Sequence, residues 1–82
     1  MTHELKCFPA EFRAALSGTK RHEVRRFDRP FKTGDLLMLR EWNPATESYS
    51  GPQFAVLVTY ITEPGSFGLP PDIGVLSIHL LG

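Results

Sequence analysis

Hydrophobic residues change their spacing several times along the chain, and each change marks an element. From His3 to Cys7 the pattern alternates, with Leu5 and Cys7 on one side, which predicts a short strand. Pro9 stands where the first turn of a helix tolerates proline. Phe12, Ala15 and Leu16 follow at helical spacing with Phe8 just ahead. Gly18 is placed to end this helix as a left-handed cap. Lys20 to Arg26 then reads as a strand with one strong strand former, Val24. A core-facing Val24 puts Lys20, His22 and Arg26 on its side and Arg21, Glu23, Arg25 and Phe27 on the other. Turns are expected at Asp28 to Pro30 and at Thr33 to Asp35.

The second half is more clearly β. Leu36 to Trp42 is apolar on both faces near its start, the pattern of a strand covered on two sides. Asn43 to Pro52 is polar and predicts a long hairpin connection. Gln53 to Thr62 returns as a strand, with Phe54, Val56, Val58 and Tyr60 alternating against Ala55, Leu57, Thr59 and Ile61. Glu63 to Asp72 holds three prolines and two glycines and predicts an irregular, exposed segment. Gly74 to Leu80 forms the last strand, with Leu76, Ile78 and Leu80 inward. Phe8, Phe12 and Phe54 are expected in the core, and Trp42 and Phe67 as core or loop anchors. About five strands and one short helix after the first strand make a mainly β (α+β) single domain over residues 1–82. The expected form is a small, partly closed barrel, because closure removes exposed sheet edges.

Composition narrows the class. The chain has 82 residues, 41% hydrophobic and 22% charged, which fits one globular domain. Met1 to Cys7 contains His3, Glu4 and Lys6, so no signal peptide is expected there. No apolar run approaches the roughly 20 residues that span a bilayer, so no membrane role is expected. Cys7 is the only cysteine and has no internal disulfide partner, which points to a reducing cytoplasm and a buried, inert thiol. No His/Cys cluster has metal spacing, so neither a metal nor another cofactor is expected.

Net charge is zero, but it is unevenly spread. Between Arg13 and Lys32 seven cations stand against two anions, Glu23 and Asp28; the rest of the chain reverses that ratio. A neutral total argues against non-specific coating of nucleic acid, whereas a local basic face steers a phosphate-bearing partner to one side.

The densest part of that segment is Gly18-Thr19-Lys20-Arg21-His22-Glu23-Val24-Arg25, followed by the turn Thr33-Gly34-Asp35 before a hydrophobic strand. Glycine, any residue, lysine, two residues, glutamate, any residue and arginine, then a Gly-Asp turn, resembles the ASCH domain superfamily. Within it, the chain looks like a small bacterial and phage family of uncharacterised ASCH-like proteins. His3-Glu4-Leu5-Lys6, Leu39-Arg40-Glu41-Trp42, Gly51 and Phe67-Gly68-Leu69-Pro70 extend the likeness over nearly the whole chain. The resemblance implies a PUA-like barrel and an RNA-binding module, with its motif in a cleft between the barrel and the helix after the first strand. Some members of the superfamily remove an acyl group from a modified cytidine with a lysine, a threonine and a distant glutamate. Lys20 matches that lysine. Glu23 stands where the threonine would be, and the distant glutamate has no clear counterpart.

Each candidate residue also has a plain reading. Lys20 is either a solvated turn lysine or a point charge aimed at a phosphate or carbonyl. Glu23 and Arg25 are either a mutual ion pair or a matched acceptor and donor for a phosphate or base edge. Lys20 and Glu23 are the candidates for catalysis, but a carboxylate ringed by cations is a poor base. Arg21, Arg26, Arg29 and Lys32 are either a solvated face or a source of sequence-independent affinity for phosphates. His22 sits inside the motif, and its plain reading is a surface histidine. The leading expectation is an RNA- or nucleotide-binding module that uses Lys20, Arg21, His22, Glu23, Arg25, Arg26, Arg29 and Lys32. The alternatives are a small amidohydrolase acting on an acylated or modified cytidine and a non-catalytic protein-interaction domain; whether the chain is an enzyme stays open.

Overall fold

A computed structural model describes residues 1–81. Its elements run β1 (Thr2–Cys7), α1 (Pro9–Leu16), β2 (His22–Arg26), β3 (Leu36–Asn43), β4 (Ser48–Thr62) and β5 (Ile73–Leu80), with one 3₁₀ turn at Ser66–Gly68. The fold is mainly β with one short helix. All five strands form a single sheet in the order β1-β3-β4-β5-β2, in which β1 and β3 are parallel and the other neighbours antiparallel. The sheet coils around a core that includes Phe12, Leu37, Leu39, Val56, Val58 and Leu76, with α1 contributing Phe12 and Ala15. Its two edge strands, β1 and β2, approach each other without pairing. Two arginines cross the gap: Arg25 Nη2 donates to the Lys6 carbonyl at 2.7 Å, and Arg29 Nη1 to the Glu4 carbonyl at 3.2 Å. The barrel is therefore open along a seam bridged by side chains. Among the described residues no helix is long and apolar enough to cross a membrane.

Several sequence expectations are corrected. β2 is turned over: Val24 is 56% exposed, and the core-facing residue is Glu23 at 2%. Val24 pairs instead with Val75 across the outer face, and Glu23 is tolerated inside because cations meet it there. The loop expected at Asn43 to Pro52 is mostly strand, since Trp42 pairs with Tyr49 and Asn43 with Ser48, leaving only residues 44–47 as the turn. A bulge between Arg40 and Trp42 absorbs the Gly51-Pro52 interruption, and packing of Trp42 on Tyr49 holds the arm together. A second bulge, between Val58 and Tyr60, reverses the alternation of β4, so Tyr60 faces out and Ile61 packs on the core. Phe8 lies outside the core because it is the N-cap residue, one position before the helix turns inward. Leu80 is also exposed, at the end of β5, and Phe67 stands in solvent at the tip of its loop rather than anchoring it.

Two contacts lock the base of the sheet. Asp35 Oδ2 accepts from His3 Nε2 at 2.8 Å and from the Lys32 N–H at 2.9 Å, tying β1 to the turn that enters β3. The His3 hydrogen bond, more than any other contact, lowers the Asp35 pKa from 3.8 to about 2. Asp35 therefore stabilises the fold while ionised. That contribution is complete above about pH 4 and is lost as the pH falls towards 2. Denaturant unfolding of the native chain and Asp35→Asn should show a stability gap at pH 6 that narrows below pH 4. A gap of constant size down to pH 2 would contradict this.

The second contact is at Gly74, where a Cβ would lie 2.6 Å from the Phe27 ring and 2.9 Å from the Thr62 carbonyl oxygen. The neighbours include backbone, so they have little room to yield. Gly74→Ala should cost about 1–3 kcal/mol in equilibrium unfolding.

Candidate functional site

The helix cap sets the site. Gly18 takes a φ of +81°, and its N–H donates to the Ala15 carbonyl. Two residues later the Lys20 N–H donates to the Ala14 carbonyl at 3.0 Å. These bonds satisfy the free carbonyls of the last turn and fix the backbone of Lys20 against the helix end. The lysine side chain then returns over β2 to Glu23.

Glu23 is held from both sides. Its Oε1 accepts from Arg25 Nη2 at 2.9 Å, and its Oε2 accepts from Lys20 Nζ in a short contact. Lys20 also lies 3.5 Å from Glu11 of α1, and Arg25 continues to the Lys6 carbonyl. One carboxylate thus joins the helix end, β2 and the free edge of β1. Among the described residues, no buried side-chain polar atom is left without a partner. A carboxylate with both oxygens taken by cations is a structural counter-ion and not a free base.

Above this cluster, a cleft of about 510 Å³ opens at the seam. Its walls are mixed. Lys6, Glu11, Lys20, His22, Glu23 and Arg25 supply charge and polarity, while the exposed Phe8 and Val24 give it apolar sides. Cys7 also lines it. Burial and then the negative charge of Glu23 push that thiol up to about 11, against the opposing pull of Lys20 and Arg25. The thiol stays protonated at neutral pH and is not an activated nucleophile. Among the described residues no cluster of His, Cys, Asp or Glu could hold a metal ion.

Half of the residues predicted from the sequence gather here: Lys20, His22, Glu23 and Arg25. Arg21 faces a neighbouring hollow of about 320 Å³ between α1 and β5. Arg26 pairs with Asp72 at 3.3 Å, Arg29 with Asp28 at 3.2 Å, and Lys32 is exposed; none of these three lines either hollow. Four of the seven cations between Arg13 and Lys32 are thus paired in space, Lys20 and Arg25 with Glu23, Arg26 with Asp72 and Arg29 with Asp28. Sequence reasoning missed Lys6, Phe8 and Glu11 as site residues. Their role comes from the meeting of β1 and β2, which are not neighbours in the sheet. His3 lies outside the cleft, on the inward face of β1 with Leu5 and Cys7, where it holds Asp35.

A family model described as "Domain of unknown function (DUF3850)" matches residues 2–78. The chain belongs to this family. The match takes in every residue of the cleft, so the Glu23 cluster lies within the part that defines a DUF3850 domain. A relative from Escherichia phage P2, named "Uncharacterized 12.9 kDa protein in GpA 3'region", is 34% identical over 61 residues. The alignment covers 74% of this chain and 54% of the phage protein, so the chain matches about half the length of that relative.

The cluster carries its own test. Lys20→Met leaves buried Glu23 with Arg25 alone and should cost about 3 kcal/mol in chemical unfolding. Replacing all three charges together, as Lys20→Met, Glu23→Leu and Arg25→Met, should leave stability within about 2 kcal/mol of the native chain, because no lone buried charge remains. A triple-variant loss equal to the sum of the three single losses would show that the charges are not coupled.

Proposed function

We propose that this DUF3850 domain is an ASCH-type, PUA-like module that binds RNA or a nucleotide-like ligand in the cleft at the β1–β2 seam. The observation that carries this reading is the convergence of Lys20, Glu23 and Arg25 at the floor of a cleft whose sides are the exposed Phe8 and Val24. A flat ring between Phe8 and Val24 gains stacking and apolar contact. Lys6, Lys20 and Arg25 outnumber Glu11 and Glu23 around it, which leaves one excess positive charge for a phosphate. The open five-stranded sheet, with its one helix next to the polar cluster, supports the PUA-like assignment. A single buried free cysteine suits a reducing, cytoplasmic setting. Binding is favoured over acyl-group hydrolysis because Glu23 is saturated by cations and Cys7 is held as a thiol.

Titration of the purified chain with short single-stranded RNA, followed by fluorescence anisotropy at about 50 and 200 mM salt, tests the reading. Affinity should fall as salt rises, with a log–log slope of about −0.7 for each phosphate held. Phe8→Ala, at an exposed position that the fold does not need, should weaken binding about tenfold. The variant with all three charges replaced should lose binding while staying folded by circular dichroism. No binding at low salt, or binding untouched by both variants, would refute the proposal.

A further inference from the structure

The outer face of the β3–β4 arm carries a pattern that the cleft does not explain. Lys6 Nζ sits 4.0 Å from the centre of the Trp42 ring. Trp42 meets Tyr49 edge to face, with centroids 5.0 Å apart and planes at 77°. Arg40 lies with its guanidinium carbon 3.7 Å from the centre of Tyr49. Two adjacent aromatic rings thus lie in one row with a cation at each end.

The register explains why they share a face. Lys6 pairs with Arg40 across the parallel β1–β3 ladder, opposite to the inward residues Leu5, Cys7 and Leu39. Trp42 pairs with Tyr49 across the hairpin. The two-residue period puts Glu41 on the reverse face, where it accepts from Ser50 at 2.5 Å. Among the described residues, the one acid in contact with the row on the aromatic face is Glu4, 3.3 Å from Arg40. Lys6 belongs to the row and to the cleft alike, so the two surfaces are continuous.

We propose that this row is a second subsite for single-stranded nucleic acid, filled by the nucleotides next to the one in the cleft. The inference rests on the reading of the cleft given above and extends it: the ligand is a strand and not a free mononucleotide. Lys6 leaves the indole and pairs with the phosphodiester that links the two subsites. The freed face of Trp42 and the exposed face of Tyr49 then receive a base. Arg40 takes the following phosphate and exchanges its contact with Glu4 for it. A ring pair with a cation at each end matches a base with a phosphate on either side along such a strand.

Trp42 is the only tryptophan in the chain, so its emission reports this subsite directly. The experiment titrates the full chain with uridine monophosphate, octauridylate and octathymidylate, reading Trp42 fluorescence together with anisotropy of labelled oligonucleotide. Both octamers should quench Trp42 and the mononucleotide should not; a stronger response to one octamer identifies RNA or DNA as the source. Tyr49→Ala and Arg40→Ala should each weaken octamer binding about tenfold and leave mononucleotide binding unchanged. Octamer binding with unaltered Trp42 emission and no effect of either variant overturns the second subsite and leaves the cleft reading standing. Absence of binding by every probe overturns both.

Discussion

The fold depends on a buried carboxylate shared between two cations. Glu23 occupies a position that a hydrophobic residue would normally fill on the inner face of β2, with Lys20 and Arg25 balancing its charge. Taking a charge out of water costs several kcal/mol, so an arrangement of this kind persists only when every member is held in place. The helix cap holds Lys20, the β2–β5 ladder holds Glu23, and the Lys6 carbonyl holds Arg25. The same contacts make the floor of the cleft. Stability and the proposed recognition therefore draw on one set of atoms.

An open sheet has two exposed edges, and such edges invite pairing with other chains. Here the edges face each other, and Arg25 and Arg29 take up two carbonyls of β1 that have no strand beside them. The outer half of β4 extends beyond β5, and it carries Pro52, which has no N–H to offer a new strand. The chain thus protects its edges with arginine and proline rather than with a closed ladder. This leaves room for a cleft that full closure would have filled.

The pattern of hydrophobic residues was enough to read most of the architecture. The order of the elements, the helix start at Pro9 and its end near Gly18, and the irregular segment before β5 all follow from local spacing; β3 is buried only on its Leu37 and Leu39 face, not on both. The pattern misled at β2, where Val24 is a better strand former than Glu23 yet lies outside. No local rule weighs a valine against a carboxylate whose partners arrive from elsewhere. The polar residues from Ser48 to Pro52 hid a strand because the arm is stabilised by ring and cation contacts across the hairpin. Lys20, His22, Glu23 and Arg25 could be grouped from the sequence because they are close in it, and they do line one cleft. Lys6 and Phe8 were not, because only the coiling of the sheet brings them to the same place.

The parallel pairing of β1 with β3 has a consequence for the order of assembly. β3, β4 and β5 are consecutive antiparallel strands and can form from nearby segments. β1 must wait for β3 across an intervening helix and strand, and β2 must find β5 beyond the whole meander. Loop-closure entropy makes these distant pairings the slow ones. Both late arrivals border the cleft, so the cleft is completed only when the chain has finished folding. By the same reasoning its rim is the region where native-state hydrogen exchange by local opening should begin.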